Sequence, residues 1–83
     1  MEKIRNVIAL LEGVLEGEIP AGDALQRWPN IDAETDDAVA QAWHDLSHYA
    51  SDDDIRERDH TYAMHQKRLL QNHVDKLRKK YFV

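Results

Sequence analysis

No cysteine occurs in the 83 residues. Disulfides, thiolate metal ligands and a cysteine nucleophile are thereby excluded, and the chain suits a reducing, cytoplasmic setting. Three glycines and two prolines are too few and too scattered for a Gly-rich phosphate loop or a low-complexity linker. No apolar run approaches the roughly 18 residues needed to cross a bilayer. The opening MEKIRNVIALLEG has a short apolar run, a mixed-charge start and no small-residue cleavage pattern. It reads as a helix of the mature chain, not as a signal peptide. Nothing alternates with the period of a strand. A chain this short makes one domain, residues 1–83, with a modest core.

One charge sign is also missing over a long stretch. Between Trp28 and Ile55 there are eight acids and no lysine or arginine. Residues 1–54 hold thirteen acids and three bases, and residues 55–83 hold three acids and eight bases. Balances of −10 and +5 thus underlie the net charge of −5. Such an acidic surface repels phosphate backbones and attracts basic partners. Direct nucleic-acid binding is not expected, and the basic end KLRKKYF complements the dipole of a helix C-terminus.

The apolar periodicity predicts an all-α protein, a small antiparallel bundle of three long helices and one short one. Ile4, Val7, Ile8, Leu11, Val14 and Leu15 form one stripe over Glu2 to Glu16, weakened slightly by Gly13 and stopped by Gly17. A short helix, Ala21 to Trp28, follows Pro20 and ends at Pro29. A third begins near Asp32, with Thr35 or Asp36 as later starts, and carries Val39, Ala42, Trp43, Leu46, Tyr49 and Ala50. The last starts at Ser51, where Ser51-Asp52-Asp53-Asp54 has the form of a capping box, and runs to the basic end.

Three features bear on chemistry. His44 and His48 are four apart, a spacing that suits metal chelation, yet they fall opposite Val39, Trp43 and Leu46, with Asp37 as the only carboxylate nearby. The run SDDDIRER is accounted for by capping and by Asp52–Arg56 and Asp54–Arg58 pairs at i,i+4, whereas Asp32, Glu34, Asp36, Asp37 and Asp45 have no base nearby in sequence. Asp59, Gln66 and His73, spaced by seven, fall within the apolar stripe of the last helix. They make either an internal polar layer, partnered by Tyr49, Tyr62 or Trp43, or an interface. Ser47, Ser51, Thr35 and Thr61 stand in no triad-like context, so no enzyme and no cofactor is expected.

The stretches LLEGVLEGEIPAGDALQRW and AWHDLSHYASDDDIRERD resemble bacterial colicin-D-type immunity proteins. The resemblance rests on Leu15-x-Gly17-x-Ile19 and Tyr49-x-x-Asp52-x-Asp54-Ile55-Arg56, with Leu25 and Trp28 where that family carries a phenylalanine. It implies a small acidic helical bundle that occludes the basic active-site cleft of a tRNA-cleaving toxin domain. The expected partner-binding residues are Asp36, Asp37, His44, Asp45, His48, Asp52, Asp53 and Asp54, gathered into one exterior patch. The other readings are a His/Asp metal-binding bundle and a homodimer joined through the last helix.

Overall fold

The computed structural model describes residues 2–82. Five α-helices and one 3-10 turn follow in order: α1 (Glu2–Leu15), α2 (Ala21–Arg27), the turn Ile31–Ala33, α3 (Asp37–Ser51), α4 (Asp53–Arg58) and α5 (His60–Tyr81). Among the described residues there is no strand, and no helix is long and apolar enough to cross a membrane. The molecule is an all-α bundle. α5 is its spine, packed by both α1 and α3, while α2 bridges α1 and α3. Leu11, Leu46, Leu70 and Leu77, with Val7, Val39 and Val74, form the fully buried centre.

The stop after α1 has a defined geometry. Glu18 N–H donates to the Gly13 carbonyl at 2.8 Å, and Gly17 N–H donates to that of Val14 at 3.1 Å. Gly17 sits at φ 76°. This is the paired C-terminal closure that favours glycine in the left-handed region. The next residue but one, Ile19, then folds back onto Gly13, where a Cβ would stand 2.4 Å from Ile19 Cδ1. Gly13 weakens the helix locally and in return seats the side chain that turns the chain toward α2.

Three predicted boundaries differ from the structure. α3 starts at Asp37, from Asp36, the last of the three starts the sequence offered, and not from Asp32, because the Asp36 carboxylate accepts Ala38 N–H at 2.9 Å. Asp32 instead lies in the 3-10 turn capped by Asn30. Ser51 does not open a capping box. It closes α3, its hydroxyl donating to the Ser47 carbonyl, and Asp52 serves as the joint between α3 and α4. The expected single last helix is two: Asp59 adopts φ −126° and ψ 100°, and its carboxylate accepts Tyr62 N–H at 3.0 Å. An aspartate three residues before a free N–H offers the backbone a cap in place of one more helical bond.

Candidate functional site along α3

α3 buries Ala38, Val39, Ala42, Leu46 and Tyr49. The 3.6-residue period therefore sends Asp37, Gln41, His44 and His48 to the opposite side, where all four are exposed. Asp45 and Asp52 are half-buried on the flank facing α5. Asp53 and Asp54 follow at the start of α4, their side chains 78% and 71% exposed. The candidate residues thus make a row, not a rounded patch, with Asp45 and Asp52 set beside it on the α5 flank. At 1.5 Å per residue it spans about 24 Å from Asp36 to Asp52, with one cluster of acids at each end. The expected convergence into one patch fails because α3 itself separates the two clusters.

Bases remote in sequence neutralise part of this row. Lys80 Nζ reaches Asp36 at 3.1 Å, and Lys3 Nζ reaches Glu34 at 2.9 Å. Glu34 also accepts Asp36 N–H at 3.0 Å. Burial raises the pKa of both carboxylates. The lysine and backbone donors outweigh it and hold Asp36 and Glu34 below the usual carboxylate range. These two acids pin the start of α3 to α5 and α1. His73 Nε2 lies 2.5 Å from Asp45 Oδ2, across the α3–α5 seam.

Where α3, α4 and α5 meet, the polar contacts form a connected network. Asp52 accepts the Tyr62 hydroxyl at 2.6 Å and Gln66 Nε2 at 3.1 Å. Gln66 Oε1 accepts Arg56 Nη1 at 3.0 Å, and Arg56 Nη2 donates to Asp53 at 3.0 Å. Arg56 also bonds the Tyr49 carbonyl and stacks over the Tyr49 ring, 3.5 Å from its centre. The Asp52 carboxylate, accepting the Tyr62 hydroxyl, raises the pKa of that phenol, and burial adds to the shift. Gln66 is the one buried polar residue among the described side chains, and this network satisfies it.

The heptad-spaced trio divides accordingly. Gln66 and His73 are internal polar groups, the former partnered by Tyr62, the latter by Asp45 where an aromatic partner was expected. Asp59 is exposed and caps α5. Arg56 pairs with Asp53, not Asp52, while Asp54 does meet Arg58, at 3.6 Å on the surface. Tyr62 is the partner of Gln66 that the polar-layer reading expects, and Arg56 keeps an acidic partner, though a different one. Glu34 stands out in the sequence only as an acid without a nearby base, and nothing local marks Lys3 or Lys80 as its counterpart or that of Asp36.

Beside the network lies an open cleft of about 270 Å³ lined by Asp45, His48, Asp52, Tyr62, His65, Gln66 and Leu69. Despite its histidines and acids, no three His, Asp or Glu side chains among the described residues converge into a metal-binding group. The His44–His48 pair stands on the exposed edge, with Trp43 packed edge-on against His44 at 5.4 Å between ring centres. No family model matches the chain, and no curated protein or solved structure matches it significantly.

Proposed function

We propose that the protein is a non-enzymatic, cytoplasmic binding module that uses the exposed edge of α3 and the start of α4 to engage a basic protein. The resemblance to colicin-D-type immunity proteins makes the partner the nuclease domain of a bacterial toxin, whose basic cleft the acidic edge fills in place of RNA. One observation carries the reading. An exposed helix edge and its continuation hold Asp37, His44, His48, Asp53 and Asp54, and no lysine or arginine interrupts the sequence there from Trp28 to Ile55. A row of about 24 Å fits within one ordinary interface of about 800 Å² per partner. Complementary fields then raise the encounter rate.

Asp37 and Asp54 are the residues to test, because both are exposed. Asp52 is unsuitable: it holds Tyr62 and Gln66, so changing it disturbs the fold as well as the surface. The experiment purifies the chain together with the product of the neighbouring reading frame and follows association by interferometry and inhibition by tRNA cleavage. The expected result is a complex whose association slows as salt rises. The double substitution Asp37→Lys, Asp54→Lys slows it about tenfold at low salt, with an unchanged circular dichroism spectrum. Absence of a complex, or association indifferent to both salt and substitution, rejects the proposal.

A further inference from the structure

The side of α5 away from α3 carries a second surface. α1 and α5 run antiparallel, and two shallow grooves lie end to end between them. One, of about 420 Å³, has Ile8, Ala9 and Phe82 in its lining, and the other, of about 560 Å³, has Leu15 and Met64. Met64 is 53% exposed and Phe82 43%, two of the four large apolar side chains that the fold leaves in solvent among the described residues. The Glu12–Arg78 pair divides the grooves. Charge is sorted by side: the acids of the rim, Glu12 and Glu16, lie on α1 and in the turn just after it, whereas Lys67, Arg68 and Arg78 are on α5. Arg5, lying 5.8 Å from the centre of the Phe82 ring, is the exception.

We infer that this α1–α5 face is the interface of a two-fold dimer, with a second copy of the chain as its occupant. Sorting acids to one side and bases to the other makes the face complementary to itself. It also selects the arrangement. A two-fold axis across the helices sets α5 on α5 and opposes Arg68 to Arg78 of the other copy. An axis along the helices sets α1 on α5, so that Glu16 meets Arg68 of the other copy and Met64 meets its Leu15. Like charges directly opposed are costly, so the second arrangement is favoured. In it, Phe82 of each copy covers the groove beside Ile8 and Ala9 of the other.

The patch is small. α1 has 14 residues, about 21 Å of helix, and two helix widths of about 10 Å give on the order of 400 Å² per copy. The total of about 800 Å² falls short of the roughly 1,000 Å² that a stable interface clears, so the dimer is a weak, transient one that dissociates on dilution. The α3 edge lies on the other side of α5 and stays open in the dimer.

Sedimentation velocity of the full chain over a concentration series at low salt tests the inference. The average mass is expected to rise from the monomer's 9.7 kDa toward twice that value, with half-dissociation on the order of 100 µM. Met64→Glu with Phe82→Glu, both at exposed sites, abolishes the rise and leaves the helical spectrum unchanged. Arg68→Glu alone weakens association several-fold, and adding Glu16→Arg to the same chain restores it. A monomer at every concentration up to about 1 mM overturns the inference. So does a dimer that is insensitive to Met64→Glu with Phe82→Glu, or a charge swap that fails to restore.

Discussion

Toward α3, helix α5 presents Tyr62, Gln66 and His73, each bonded to a named group on the α3 helix or its C-terminal joint Asp52. Toward α1 it presents Met64, Lys67 and Gln71 around open grooves, with Arg78 reaching Glu12 at the surface. Between these two flanks, Leu70, Val74 and Leu77 are buried. The apolar centre supplies bulk stability on either side, since area removed from water has no direction. The buried polar contacts, which add direction, lie on the α3 side: a slipped register there strands Gln66 and Arg56 without partners. The α1 flank has no such constraint, so its rim is free to meet another surface.

Arg56→Ala is the sharpest way to break this comparison. It leaves the Tyr49 carbonyl and Gln66 Oε1 without their donor, and the Arg56 side chain is only 10% exposed. We expect a loss of about 3 kcal/mol in urea unfolding. Arg78→Ala on the other flank removes a pair whose side chains are 53% and 38% exposed, and should cost under about 1 kcal/mol. Equal losses would mean that the two flanks are held alike.

Acid titration sharpens the same contrast at the start of α3. The pKa values of Glu34 and Asp36 are depressed in the folded state. The stability they supply is therefore present above the carboxylate range of the unfolded chain, about pH 4, and is lost as pH falls through the folded values. Thermal unfolding from pH 6 down to pH 2.5 should show the wild type losing more stability than Glu34→Gln with Asp36→Asn. A double variant with an acid limb as steep as that of the wild type would show that these pins contribute nothing.

Gly13→Ala probes the α1 side and should have a smaller effect. Alanine adds about 1 kcal/mol of helix propensity but places a Cβ 2.4 Å from Ile19 Cδ1 and 2.8 Å from Cγ1. Displacing Ile19 costs about 1–3 kcal/mol, so the net loss is about 1 kcal/mol. Gly22→Ala in α2 meets no atom within 4 Å and should stabilise slightly. A stabilised Gly13→Ala in the same denaturation assay would show that Ile19 moves aside freely.

The apolar flanks were legible in the sequence, and the polar pins were not, for a physical reason. Ile4, Val7, Leu11 and Val14 recur at helical spacing, and burial follows period alone. Gln66 and His73 stood out because they interrupt such a stripe. Asp59 shares their spacing, but its cap bond to Tyr62 N–H won over continuing the helix, and no period distinguishes those outcomes. Lys3–Glu34 and Lys80–Asp36 join residues more than thirty apart in sequence. Their pairing depends on how the helices dock, which no local pattern encodes. The α3 edge was legible as a list of residues, and its division into pinned and open acids emerged only from that docking.

The smallest expected effect separates those two kinds of acid. Asp54 and Arg58 form a pair at 3.6 Å with side chains 71% and 79% exposed. Solvent screens such a pair, and holding two long side chains in place offsets most of its attraction. Asp54→Ala should therefore change unfolding free energy by less than about 0.5 kcal/mol. Asp36→Ala should do more, because it removes an N-cap as well as the bond to Lys80, and caps contribute about 1 kcal/mol. If Asp54→Ala proves as costly as Asp36→Ala, the start of α4 is a structural joint and not an open surface. If it is neutral, Asp54 remains free to act on a second molecule, with charge that the fold itself does not require.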